Sequence, residues 1–538
     1  MPRETAKIIF SFLILFGVHA ILDGQEKDLY ALDHIVEIEI DFEDPNWQRK
    51  LTTYKEQRRD KRLKADLTLD GQTYAGVGVR YKGNSSLYAV LNSDGQKLPF
   101  NIKIDYKDST RTLPGGYTRL KLSNVFRDPS YLREALSYEI AQQYMNAPRA
   151  NFARVTVNGD YLGLYNLTQS VDEDMLAQFF GDRDGVLFKC DPDWKKEVAV
   201  GCNKEKRATL QYLGDDTACY LDKYELKTDS EDGWRALAAF TKKLEQEPEA
   251  IHNVLDVDEV LWMLAYDNVL VNLDSYIGLL CHNYYLYQDT FNIWHPVVWD
   301  MNMSLGGFRH TGQGSSLDNE ELQTMSPLLH LREREKRRPL ILKLLSQPLY
   351  RKIYVAHART IYEDWLAEKQ YKELAEQIRT TIRPLIEDQP HALYPAELFD
   401  QNYENTVNLG IEDLEIVGVS ELLDGRAEYL SNHPLIQAAA PDISEPQVSV
   451  DGDIVTITAS VSTLEDEEIK AVYLFRRAAQ FHPWQRLKME MSENGSYTVQ
   501  MPLETISDYY LVAEGRLTAS VLPRRSGRET FTLDINRK

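Results

Sequence analysis

Two turn dipeptides, Asp70-Gly71 and Asn158-Gly159, each set between alternating apolar residues, constrain this chain more than any other feature. A two-residue hairpin loop needs positive φ at both positions, which these residue types tolerate, and its twist matches that of paired antiparallel strands. Leu67 and Leu69 precede the first turn and Val77, Val79 and Tyr81 follow it; Val155 and Val157 precede the second and Tyr161 to Leu167 follow. Val36, Ile38, Ile40 and Phe42, and then Phe100, Ile102 and Ile104, repeat with the same period of two. Residues 35–170 therefore read as a twisted antiparallel sheet. One helix interrupts it between Asp128-Pro129 and Tyr144, with Asp128 as its cap and Leu132, Leu136 and Ile140 on one face.

Beyond the sheet, residues 171–433 are acid-rich and mainly helical, with short strands at Tyr284 to Tyr287 and Val297 to Trp299. A linker at 434–440 leads to a tail, 441–538, whose alternating Val455/Ile457/Ala459/Val461 and Tyr509 to Ala513 predict a small all-β sandwich of immunoglobulin or fibronectin type. The fold class is α+β. At the other end, Arg3 and Lys7, the apolar run Ile8 to Val18 and Val18-His19-Ala20 predict a cleaved signal peptide over 1–20, followed by a linker at 21–34. The expectation is an exported protein, secreted, periplasmic or on the cell surface, with no membrane span once the leader is removed.

Charge narrows the partners, because the formal net charge of −22 opposes nucleic acid and anionic membranes, whose binding depends on Lys and Arg neutralising phosphates. A cationic or metal-bridged ligand fits better. The four cysteines, at 190, 202, 219 and 281, are too few for a disulfide scaffold. They leave open a Cys190–Cys202 staple, a Cys202–Cys219 staple, or free thiols.

The chemistry concentrates in Asn272-Leu-Asp274-Ser, Asn283-Tyr-Tyr-Leu-Tyr, Val298-Trp-Asp300 and Gly306-Gly307. Phosphoryl transfer needs oxygen ligands for Mg²⁺, cations for the phosphate oxygens and an acid to orient the attacking hydroxyl. Asp300 at a strand end and Asn283 at a strand start are the candidate metal ligands; Asp274, expected to end a helix over Asp258 to Asn272, is the hydroxyl-orienting acid. Upstream, Arg80-Tyr-Lys82-Gly83-Asn84-Ser85-Ser86 reads as a small-residue turn between two strands that could offer backbone N–H groups and hydroxyls to phosphates. Lys103 is a candidate phosphate lysine, with Lys121 as its rival, and Glu134 or Glu139 could pair with it.

Together these residues resemble the spore coat protein H (CotH) kinase family, an atypical exported branch of the protein-kinase-like fold. The resemblance runs from about Ile35 to His433 and includes Val79 to Ser86, Asp128 to Glu134, Val157 to Tyr165, Leu187-Phe-Lys189, Asn272 to Ser275, Asn283 to Tyr287 and Trp299-Asp300. It implies a two-lobed fold with an antiparallel-sheet N-lobe and a mainly helical C-lobe. ATP with Mg²⁺ or Mn²⁺ would bind between the lobes, for transfer to Ser or Thr of an exported or cell-surface protein. It assigns the catalytic acid to Asp274, metal ligation to Asn283 and Asp300, and nucleotide contacts to Arg80, Gly83, Asn84, Ser85, Ser86, Lys103 and Glu134.

This chain departs from the family pattern at two positions, with Asn302 where a second metal-site acid is usual and Gln169 where a glutamate is usual. A nucleotide-binding pseudokinase is the consequence to weigh. A binding protein whose lobes only scaffold, docking through the sandwich onto a surface or carbohydrate, is the competing class. A glycoside hydrolase using Asp274 and Asp300 lacks an accompanying pattern of sugar-stacking aromatics.

Overall fold

The computed structural model describes residues 28–57, 59–93, 95–332, 337–410, 414–464 and 468–533. The expected leader, 1–20, and the first part of the expected linker lie outside the described residues. Among the described residues, no helix is long and apolar enough to cross a membrane.

The first sheet comprises β1 (Val36–Asp41), β2 (Leu63–Leu69), β3 (Gln72–Tyr81), β4 (Phe100–Lys103), β5 (Arg119–Ser123), β6 (Ala150–Val157) and β7 (Asp160–Thr168). It is a closed barrel rather than an open antiparallel sheet, in the order β1-β2-β3-β4-β5-β7-β6, and the closing pair β1·β6 is parallel. Closure removes the exposed edges that an open sheet would have to protect. The alternating residues Ile38, Ile40, Leu67, Val79, Ile102, Leu120, Val155 and Leu167 point inward and form one apolar core. Both turns behave as their residues dictate, with φ of +47° and +84° at Asp70 and Gly71 and +48° and +82° at Asn158 and Gly159.

Because side chains alternate, the opposite set faces outward, and the cross-strand register aligns Arg80, Asn101, Lys121 and Thr168 in one polar row. The turn expected after Arg80 is instead a helix start. The chain passes α1 (Trp47–Glu56) between β1 and β2, and after β3 it enters α2 (Ser85–Asn92) directly through Lys82-Gly83-Asn84.

The helix α3 (Arg133–Ala141) is buried on nearly every side. Asp128 accepts from the Arg133 backbone N–H and guanidinium, both at 2.8 Å, and that guanidinium also donates to Asn402 Oδ1 at 2.9 Å and to the Val417 carbonyl at 2.6 Å. This buried pair anchors α3 to a distant part of the chain. Both terminal nitrogens of the guanidinium are bonded, and breaking a buried ion pair by removing one partner is strongly destabilising.

The helical region contains a second sheet, β8 (Val186–Cys190), β9 (Glu225–Leu226), β10 (Tyr284–Gln288) and β11 (Trp294–Val298), in the order β11-β10-β8-β9. Sequence patterning found β10 and β11 but not β8 and β9. The disulfide is Cys202–Cys219, and Cys190 and Cys281 are buried thiols.

The C-terminal strands form a four-stranded and a five-stranded sheet enclosing Val455, Ile457, Val472, Leu474, Tyr509 and Leu511. The other side of this region is not free. Tyr510, Val512, Ala519 and Val521 join the core of the helical body, and the Trp262 indole donates to the Ser526 carbonyl at 3.1 Å.

Candidate active site

Antiparallel pairing of β10 with β11 sets Tyr284 opposite Val298, so Asn283, which enters one strand, lies beside Trp299 and Asp300, which leave the other. The Trp299 N–H donates to the Asn283 carbonyl at 3.1 Å. Asn283 and Asp300 both have φ of +57°, a left-handed conformation that Asn and Asp tolerate better than other side-chain-bearing residues. Strained backbone of this kind clusters at functional sites.

The Asn283 amide donates to the Asp274 carbonyl at 2.9 Å and to Asp274 Oδ2 at 3.1 Å. Its NH₂ is thereby consumed, and its Oδ1 has no donor among the described residues. Asp274 does not end the preceding helix. That helix, Val257–Val269, stops earlier, and Asp274 sits in a loop locked by side chains. The Asn272 amide donates to Asp267 Oδ1 at 2.8 Å and Ser275 Oγ to the Asn272 carbonyl at 2.7 Å. Gly278 completes the loop, since a Cβ there would lie 1.6 Å from the Leu273 carbonyl oxygen.

Asp274 Oδ1 lies 2.9 Å from His282 Nε2, whose other nitrogen is 3.5 Å from Asp191; Asp191 in turn holds Lys189 at 2.5 Å. Burial alone would lower the His282 pKa, but Asp274 and Asp191 outweigh it and push it up to about 10. At neutral pH His282 is an imidazolium clamped between two carboxylates. Together with the Asn283 amide on Oδ2, it fixes the rotamer of Asp274.

The barrel supplies the opposite wall. Glu134 of α3 is buried, and it accepts from the outward β7 residues Asn166 at 3.0 Å and Thr168 at 2.6 Å. Burial raises its pKa, Lys82 opposes the rise and Asp300 adds to it. The ammonium of Lys121 lies 3.8 Å from the centroid of the Trp299 ring. No carboxylate is within hydrogen-bond reach of that ammonium among the described residues. Burial, then Lys82 and Lys189, hold its pKa well below the usual lysine value, with Asp172 acting the other way. Lys82 reaches Ser123 Oγ at 2.5 Å. Lys82 and Lys189 lie within electrostatic reach of Lys121, and Lys82 and Asp300 within that of Glu134.

Lys103 is placed elsewhere. It is partly exposed and ion-pairs with Asp105 at 3.6 Å, so the expected pairing with Glu134 does not form. Arg80 pairs with Asp60. Gly83, with φ of +70°, and Asn84 lead into α2, whose first turn contains Ser85 and Ser86. Gln169 Oε1 accepts the Arg149 N–H at 3.1 Å, so this carboxamide joins strands.

α3 also positions the metal-ligand candidate. The Asp300 N–H donates to the Tyr138 hydroxyl at 3.0 Å, and Ser304 Oγ is bonded to Ser137 Oγ at 2.6 Å. Sequence reasoning passed over His282, Asp191, Lys189 and Lys82 as site residues. Lys82 and Lys189 stood inside the motifs already singled out, and His282 stood next to Asn283.

The site thus gathers an acid-and-amide pair at two strand ends, a loop acid tied to that amide and lysines on the opposite wall. A family model described as CotH kinase protein matches residues 79–412, more than half of the chain, and the chain belongs to that family. Among curated proteins it is similar to the inner spore coat protein H of Bacillus subtilis (strain 168), at 23% identity over 325 residues, covering 59% of this chain and 79% of that protein.

Proposed function

We propose that this protein is an exported atypical protein kinase that transfers the γ-phosphoryl group of ATP to Ser or Thr hydroxyls of exported or surface proteins. The barrel and α3, residues 35–170, act as one lobe and the helical body, residues 171–433, as the other, with the nucleotide between them.

The observation that carries the reading is the shared geometry of Asp274, Asn283 and Asp300. One amide holds the hydroxyl-orienting acid with its N–H groups, and its residue is tied through its backbone carbonyl to Trp299, the neighbour of Asp300. Two hard oxygen donors at one strand end suit Mg²⁺ or Mn²⁺, and neutral Asn plus anionic Asp leave coordination positions for phosphate oxygens. When bound, the ion would neutralise charge on the transferring phosphate. Lys121, Lys82 and Lys189 fit the same group, because Lys121 is a buried amine with no bonded anion, and an arriving phosphate would favour its charged form. Lys121, rather than Lys103, takes the phosphate role in this reading, and Glu134 holds the charge balance from α3. The first turn of α2 offers backbone N–H groups to the nucleotide.

Two features favour a second reading, a pseudokinase that binds nucleotide without transfer. Asn302 supplies no second carboxylate, and the Gln169 side chain is spent on Arg149. The kinship with a spore coat protein supports an exported or surface location. The C-terminal β region would then face a surface or carbohydrate partner. Calorimetry of ATP on the purified mature chain with Mg²⁺, Mn²⁺ or chelator, beside Asp300→Ala, tests nucleotide binding. Phosphate transfer to exported proteins then separates kinase from pseudokinase, and no metal-dependent binding under any condition leaves a scaffold.

A further inference from the structure

The far end of the β10–β11 hairpin carries a second constellation. Asp289 builds the turn, its Oδ1 accepting the N–H groups of Phe291 at 2.9 Å and Ile293 at 2.8 Å, while its Oδ2 lies 3.1 Å from His295 Nε2. The other ring nitrogen, His295 Nδ1, faces Glu259 Oε2 at 3.2 Å and Asp256 Oδ2 at 3.7 Å. Asp256 caps the helix Val257–Val269, and Glu259 is in its first turn. One ligand atom from each of Asp256, Glu259 and His295 lies within 4.8 Å of the others. Three donors about 2.0–2.2 Å from one ion sit roughly 3–4 Å apart, so small side-chain adjustments suffice.

The arrangement has the order that a metal-bound imidazole requires. A ligating histidine donates its remote N–H to a carboxylate, which fixes the tautomer and leaves the near nitrogen's lone pair for the ion. Asp289 is that carboxylate. The neighbouring Asp258 is excluded from the set, since it is already bonded to His357 at 2.9 Å and Ser526 at 2.8 Å. Arg528, the guanidinium beside Glu259, is turned onto the Met145 carbonyl.

A second observation points to a ligand here. The three residues line a cavity of about 340 Å³ between the helical body and the C-terminal strands. Tyr510 lines it too, is only 1% exposed and lies within electrostatic reach of Asp258 and Asp256. Its hydroxyl has no hydrogen-bond partner among the described residues. The hydroxyl is not sealed from solvent, so it opens into the cavity, where a ligand of the ion would meet it.

We propose that Asp256, Glu259 and His295 bind one divalent transition-metal ion, Zn²⁺ by preference, with an open coordination position on the cavity side near Tyr510. One imidazole nitrogen and two carboxylates suit Zn²⁺, while the imidazole argues against Mg²⁺ or Ca²⁺. The site lies five strand residues from Asp300, roughly 17 Å along β11. It is independent of the nucleotide site.

The test uses the mature full-length chain, stripped with chelator and titrated with ZnCl₂ alone. One equivalent should bind, raising the melting temperature, and the absorption edge spectrum should show nitrogen and oxygen neighbours without sulfur. Glu259→Gln should weaken binding at least tenfold and remove the melting shift, and Asp289→Asn should weaken it about 10–100-fold. Asp300→Ala should retain the equivalent. Absence of uptake by the wild-type chain, sulfur neighbours, or undiminished binding by Glu259→Gln would each overturn the site and leave His295 as an imidazolium linking the acids. Should Glu259→Gln fail to fold, wild-type stoichiometry and spectrum still decide.

Discussion

The two ends of the β10–β11 hairpin are built from the same strands and gather different ionisable groups. At one end Asn283 and Asp300 meet Lys82, Lys121 and Lys189; at the other His295 is met by Asp256, Glu259 and Asp289. The first mixes three lysines with the carboxylates of Asp300, Glu134 and Asp191, a set that a metal-bound polyphosphate would join. The second has carboxylates in excess and suits a metal ion. A net charge of −22 conceals this, because ligand class follows the local balance at a site and not the total.

The largest expected effect breaks the comparison at the first end. Asp274→Ala should lower phosphate transfer by about 10³-fold while ATP affinity changes less than about threefold, because this acid orients the hydroxyl and leaves the metal alone. Parallel loss of transfer and binding would move Asp274 into the metal site. Asp300→Ala should weaken Mg²⁺-dependent ATP binding about 100-fold by calorimetry, since one carboxylate carries the formal charge of that ligand pair. If the same substitution abolished Zn²⁺ uptake, the two ends would not be independent.

The sequence made part of this arrangement legible. Period-two patterns and the Asp70-Gly71 and Asn158-Gly159 turns located six of the barrel strands, because local twist and side-chain alternation are near-neighbour properties. Closure was not legible, since the parallel β1·β6 pair joins residues more than a hundred positions apart. β9 is two residues long and carries no period at all. In the site, Asp274, Asn283 and Asp300 stood out by residue type at strand and loop boundaries. Lys121 could not be chosen over Lys103 from sequence, because both lie on outward positions of neighbouring strands. Only the packing of Trp299 against one of them separates the two. His282 and Asp191 were missed because their meaning lies in a pairing across eight and more residues of loop.

A further buried lysine sharpens the contrast between lysines with and without acids. Lys97 is fully buried against neutral partners, Tyr131 at 3.3 Å and Gln389 at 3.2 Å, and burial pushes its pKa down to about 7 from 10.5. Between those values the unfolded chain binds more protons at this residue than the folded one. Its contribution to stability therefore rises with pH across the window and is lost as pH falls through about 7. In urea unfolding, the stability of wild type relative to Lys97→Met should increase by on the order of 2–3 kcal/mol from pH 7 to pH 9.5. A flat difference would mean that Lys97 stays charged when folded.

The smallest effect decides between two lysines. Lys121 and Lys103 both point outward from the barrel, yet one is buried over the Trp299 ring and the other is paired with Asp105 at the surface. An ammonium that touches phosphate adds a charge-assisted hydrogen bond, worth about 1.5–3 kcal/mol before solvent screening. Lys121→Met keeps the apolar stem against Trp299 and removes only the amine available to phosphate, so ATP affinity should fall about tenfold with the fold intact. Lys103→Met should leave affinity within about twofold, because it removes only an exposed ion pair worth about 0–1 kcal/mol. Circular dichroism guards against misfolding in either variant. The reverse pattern would place the nucleotide toward Asp105 and detach Glu134 from the site, since Glu134 reaches the barrel through Asn166 and Thr168, on the Lys121 side.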